Sequence, residues 1–169
     1  AQEPMDISQF KPKPQLVVKQ TILTKPKFPV IDAHNHLGVF GDNAVEKLTV
    51  HELCDTLDKA GVTHYVDLDG GWGENIVQQH LDYLSPCADR FRVFGGVDWS
   101  RWAELGGDFP EFAARRLEVQ KGWGASGVKI WKPFGLQVKD HHGSLVGVDD
   151  ERLDPIWGTA ARLSMPVLI

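Results

Sequence analysis

Two imidazoles one residue apart close the apolar run FPVIDAHNHLG, residues 28–38. Side chains of a strand alternate between its faces, so His34 and His36 point the same way. Val30 and Asp32 share that face by the same period. Two imidazoles so placed can both reach one divalent ion at about 2.0–2.1 Å. Asp32, one layer deeper, can orient a ligand histidine through a hydrogen bond to its ring. Gly38 opens a loop, which sets the pair at a strand end. A purely structural histidine pair is the alternative.

A second informative stretch is GASGVKIWKPFGL, residues 124–136. A lysine inside an apolar strand is costly to bury as a cation, so Lys129 should have a partner or a changed charge. Lys132, three residues on, faces a loop or a substrate. Aromatic residues gather where strands give way to loops: Trp72, Trp99, Trp102 and Trp131. Beside them lie Arg101 and Lys132. Trp72, Trp99 and Trp131 could stack on a planar group while Arg101 or Lys132 takes a carboxylate, which makes them candidate substrate-binding residues. Large aromatics that only seal loops over the core are the alternative. His141 and His142 fall in a glycine-flanked loop and are expected in solvent. His51 and His80 fall on helices, far from such a site, and His64 begins a strand at the opposite end.

The elements that must position these residues recur at a spacing of about 30 residues, which is the length of a βα unit. Strands are expected at 28–34, 62–69, 91–99, 126–131 and 165–169, with helices at 48–61, 73–91, 109–122 and 149–164. Thr49 with Glu52 three residues on signs a helix start, and Leu48 can staple onto Leu53. Gly61 ends that helix. Pro110 suits a first turn, and Pro155 is expected to kink or interrupt the last helix. Parallel βα units allow a (β/α)8 barrel or an open doubly wound sheet. The doubly wound fold would place a glycine-rich phosphate turn after the first strand. HNHLGVFGDN contains no GxGxxG, so the barrel is favoured.

Residues 1–27, with Pro4, Pro12, Pro14, Pro26 and several lysines, read as an extended N-terminal arm holding one short strand at 16–23. Residues 28–169 form the domain. About four and a half units are short of a barrel of roughly 250 residues. The domain is therefore expected to be the N-terminal half of a longer barrel. A half-barrel pairing with another chain is a further reading, so a homo-oligomer is compatible.

The net charge of −5, without a basic stripe, argues against nucleic acid as a partner. No apolar run reaches the roughly 18 residues of a membrane span. An Ala1 start fits a chain trimmed after a small-residue cleavage site, hence export to the periplasm; a cytoplasmic chain is the alternative. Cys54, among Leu53, Leu57 and Ala60, reads as a core thiol. Its distance in sequence from Cys87 suggests no metal-type or redox-type pair.

VIDAHNHLG resembles the first-strand signature of the amidohydrolase superfamily, and the following units resemble its amidohydrolase 2 branch, over residues 28–169. The resemblance implies a TIM barrel with His34 and His36 as the first two ligands of a catalytic divalent metal, usually zinc. It places a further histidine ligand after strand five and an aspartate, the expected general base, after strand eight, both beyond Ile169. The G-V-K-I context of Lys129 is similar to that of the strand-four lysine of some members, which is carboxylated and bridges two metals. Other members use one metal, and Lys129 would then pair with an inner carboxylate such as Asp32 or face substrate. The implied activity is hydrolysis of a C–O or C–N bond, or decarboxylation, in a small substrate. A non-catalytic small-molecule-binding barrel without a complete metal site is the alternative.

Overall fold

The computed structural model describes residues 8, 10–38, 41, 43–72 and 74–169. The expectations attached to Ala1 and Pro4 lie outside these residues. Five strands, β1 (Val30–Asn35), β2 (Val62–Asp67), β3 (Phe91–Gly96), β4 (Gly127–Lys129) and β5 (Val167–Leu168), form one sheet in the order β1-β2-β3-β4-β5. Every neighbouring pair is parallel. A doubly wound sheet reverses its strand order at a switch point. This one advances a strand at a time and forms a parallel half-barrel.

Helices make the crossovers. Between β1 and β2 lie α1 (Ala44–Lys47) and α2 (Val50–Ala60), and between β2 and β3 lies α3 (Glu74–Leu84) with a 3-10 segment, Ser85–Arg90. A 3-10 turn at Trp99–Arg101, α4 (Trp102–Leu105) and α5 (Phe109–Trp123) lead to β4, and α6 (Asp154–Arg162) leads to β5. The start of α2 is as its sequence predicts. Thr49 is the N-cap, its hydroxyl accepts from the Glu52 N–H, and the Glu52 carboxylate accepts from the Thr49 N–H. Gly61 closes the helix at φ 75°.

The helix expected over 73–91 to run into Pro86 does so: its α-helical part ends at Leu84 and a 3-10 segment, Ser85–Arg90, follows, because Pro86 lacks a donor and restricts the residue before it. Two local expectations are corrected. Pro155 does not interrupt α6; it occupies the first turn, where its missing N–H costs nothing. Residues 16–23 form no strand and are exposed, since no sheet edge lies alongside to supply backbone partners. The arm does touch the domain at Pro26, which packs against Gly61.

Apolar residues pack in two clusters. Leu53, Cys54 and Leu57 of α2 pack with Tyr65, Phe91 and Val93. Trp102, Phe109 and Leu117 pack with Val128, Ile130 and Ile156. Cys54 is a buried core thiol as expected, but the fold brings Cys87 against it. Burial first, and then the adjacent Cys87 thiol, pushes the Cys54 thiol up to about 11. Among the described residues no helix is long and apolar enough to cross a membrane.

The long loop after β4 is pinned by charge. Asp140 Oδ1 accepts from the N–H groups of His142 and Ser144 at 2.9 and 3.0 Å, and Oδ2 from Arg152 at 2.8 Å. Chiefly through Arg152, its pKa falls to about 2. An unfolded carboxylate titrates near 3.9, so a depressed folded pKa stabilises the fold above that pH and ceases to as pH falls through about 2. Arg152→Gln should therefore lower the melting temperature at pH 7, and the difference from the parent should close as the pH approaches 2. A pH-independent difference, followed by circular dichroism, would show that the pair adds nothing.

Candidate functional site

The sheet places the two histidines where β1 ends. His34 is the fifth residue of β1 and is exposed, while His36 lies just past Asn35 and is half-buried. Their ring centroids are 5.7 Å apart at 70°. The strand is not regular: from Asp32↔Tyr65 to Asn35↔Asp67 it advances three residues against two on β2. Strict alternation therefore does not carry from Asp32 to His34. Asp32 stands beside Tyr65, and its carboxylate accepts from the His34 N–H at 3.3 Å and from Asn35 Nδ2 at 2.7 Å.

The carboxylate on the imidazole is instead that of Asp69. His36 Nδ1 lies 2.8 Å from Asp69 Oδ1, and Asp69 Oδ2 accepts from the Gly38 N–H at 2.9 Å. An ionised Asp69 only accepts, so Nδ1 carries the proton and a neutral ring has its lone pair on Nε2. Tyr65 donates to the His36 carbonyl at 3.2 Å. Burial, followed by the nearby charges of Asp67, Asp32 and Asp69, pushes its phenol above the ordinary range, so it stays a donor.

A second carboxylate lies beneath. Asp67 is fully buried; Oδ1 accepts from the N–H groups of Leu37 and Asp69, both at 3.1 Å, and Oδ2 is bonded to His80 Nδ1. His80 is thus not remote from the strand ends. It is 4% exposed, and its side chain reaches in from α3. Sequence reasoning passed over Asp67, Asp69 and His80. The available signal was VDLDGG, two acids two residues apart at the end of an apolar strand, the acidic counterpart of His34 and His36.

Glycine is required around this cluster. A Cβ on Gly38 would stand 3.1 Å from the Asp69 Cβ and 3.3 Å from His80 Cε1. A Cβ on Gly41 would overlap the His36 carbonyl oxygen. Gly38 thus sits close against Asp69 and His80, and Gly41 close against the His36 backbone.

Lys129 stands on β4 in register with Gly96 and Leu168 and is 7% exposed. Burial first, and then the charge of Lys132, pushes its pKa down. Among the described residues it forms no ion pair, so of the readings for it a changed charge is borne out in direction and a pairing with Asp32 is not. The charged form is penalised in the fold, and that cost is present at neutral pH and disappears as the pH rises above the unfolded value. Lys129→Met should therefore raise stability at pH 7 by on the order of 1 kcal/mol, with less gain above pH 10. Chemical denaturation of the two proteins checks this; a destabilised Met variant would mean that the amine has a partner.

The aromatic residues divide. Trp131 lies 5.9 Å from His36, ring to ring, and Trp72 meets Trp131 edge-on at 5.8 Å. Trp99 and Trp102 instead belong to the core: Trp99 stacks on Phe134 at 4.2 Å, and Trp102 is 1% exposed. Trp99 still borders a cleft of about 280 Å³ shared with Trp72, Trp131 and Phe134. Arg101 pairs with Glu104 at 3.0 Å and lies over Phe112, lining a larger neighbouring cleft of about 600 Å³ with Trp72, Arg116 and Gln120. Lys132 is exposed. His51, His64, His141 and His142 are exposed too.

Among the described residues no group of three or more His, Cys, Asp or Glu is arranged to hold a metal ion. His34 and His36 alone would make two donors of the four in a usual zinc shell. No protein-family model, curated protein or solved structure matches the chain.

Proposed function

We propose that this domain is part of a metal-dependent, amidohydrolase-type enzyme on a (β/α)8 barrel, with His34 and His36 holding a divalent ion, zinc foremost. One observation carries the reading: the two strand-end imidazoles are neighbours, and His36 gives its Nδ1–H to Asp69. Metal-bound histidines have this carboxylate partner, which fixes the ring and raises its basicity. The strictly sequential parallel order supports the barrel, as do the edges at β1 and β5, each paired on one side only. Ile31 on β1 and Val167 on β5 are exposed.

A divalent ion would lower the pKa of bound water and polarise a carbonyl or carboxylate. The chain's own residues orient and bind. Asp69 aims His36, Trp131 and Trp72 offer flat apolar walls beside it, and Arg101 and Lys132 supply cations for a carboxylated substrate. Hydrolysis of a C–O or C–N bond is the first reaction class, and decarboxylation of an aromatic acid the second. A resemblance in VIDAHNHLG to the superfamily's first-strand signature agrees with both.

A non-catalytic binding barrel is the second reading, favoured by the two-donor count among the described residues. A panel of small esters, amides and aromatic acids separates the two. The enzyme reading expects turnover that chelator abolishes and zinc restores. Binding without turnover in zinc-loaded protein would favour the binder.

A further inference from the structure

We propose that Asp67 and His80 are positioning residues that set the tautomer of the His36 imidazole. The ring's Nδ1 is bonded to Asp69, while Asp67 and His80 are bonded to each other. His80 reaches from α3 to Asp67 on β2, and both side chains are at least nine-tenths buried. Such a buried pair is a poor device for stability alone, because an apolar pair of similar volume would avoid the desolvation cost. What an apolar pair could not do is what the other Asp67 oxygen does.

That oxygen takes two backbone N–H groups, from Leu37 and Asp69. Leu37 directly follows His36, and Asp69 is the residue that accepts from its ring. Asp67 therefore anchors both ends of the His36–Asp69 hydrogen bond, one just past the end of β1 and the other just past the end of β2. His80 holds Asp67 in the rotamer that reaches both groups, since Oδ2 is engaged on the α3 side. A side chain at Gly38 would crowd both Asp69 and His80, so glycine leaves room for the two there. With this scaffold in place, Asp69 meets Nδ1, and Nε2 carries the lone pair that a metal needs.

Loss of the His80 donor leaves a buried carboxylate oxygen unpaired, and Asp67 must rotate to find another partner. That rotation disturbs the Leu37 and Asp69 N–H groups and loosens Asp69 from the ring. The link to metal affinity rests on the function proposed above; the tautomer does not.

The test is a long-range proton–nitrogen NMR correlation of the histidine rings, on the parent, His80→Leu and His80→Asn. The parent should show His36 protonated at Nδ1 and bare at Nε2. His80→Leu should give a mixture of tautomers and lose about 10–100-fold in zinc affinity by titration. His80→Asn should restore both, because the Asn amide nitrogen is as many bonds from Cα as Nδ1 is. If His80→Leu does not fold, Asp67→Asn, of nearly the same shape, carries the test, with the same mixture expected. A parent His36 protonated at Nε2 would overturn the proposal. So would a folded His80→Leu or Asp67→Asn with the parent's tautomer. A parent with the expected tautomer and no zinc binding would sink the metal reading while leaving the positioning role intact.

Discussion

The double variant His34→Ala/His36→Ala is expected to lose its divalent ion altogether and, with it, any turnover. His34 and His36 are the two proposed nitrogen ligands at the end of β1, 5.7 Å apart between rings, and among the described residues no group of three or more His, Cys, Asp or Glu is arranged to hold a metal ion. Removing both therefore leaves nothing on this side of the ion. The fold should survive. His34 is exposed, and surface substitutions away from special features move stability by about 0.5 kcal/mol or less. Loss of the His36 ring deprives Asp69 of one partner, but the Gly38 N–H remains on its other oxygen. His51→Ala, on the exposed face of α2, is the control and should keep full metal content. Elemental analysis of the three proteins decides it; a double variant that retains its metal would place the ion elsewhere.

Trp102→Ala should be the most destabilising single substitution, by about 3–5 kcal/mol in chemical denaturation. Trp102 is 1% exposed and stacks on Phe109 at 4.8 Å, at the seam of α4 and α5. The Arg152 guanidinium lies over its ring at 5.2 Å, and the same guanidinium pins Asp140. The truncation thus leaves a large cavity and removes the surface on which the loop after β4 is fastened. Against a typical domain stability of about 5–15 kcal/mol, that is a large fraction of the total. A loss under about 1 kcal/mol would mean that the site collapses to fill the void.

Where local chemistry decides the structure, the sequence is sufficient. Thr49, Glu52 and Gly61 bound α2 through hydrogen bonds and a left-handed cap that involve no distant residue. The βα alternation and the missing phosphate turn likewise point to the sequential sheet. Contacts between elements were not legible. The irregular β1–β2 register moved the partner carboxylate from Asp32 to Asp69, which no periodicity argument can anticipate. His80 reads as a helix histidine far from the site, and the packing of α3 on the sheet brings it to Asp67. Trp99 and Trp131 look alike in the chain, yet one is held in the core by Phe134 and the other stands beside His36. Cys87 reached Cys54 by the same kind of long-range packing.

The central claim is that His34 and His36 bind one divalent ion through their ring nitrogens. X-ray absorption at the zinc edge of the zinc-loaded protein tests it most directly, with His34→Ala/His36→Ala measured alongside. At least two imidazole nitrogens at about 2.0–2.1 Å are expected in the parent, and their loss in the double variant. A zinc shell without imidazole scattering, or one that the double variant leaves unchanged, would contradict it.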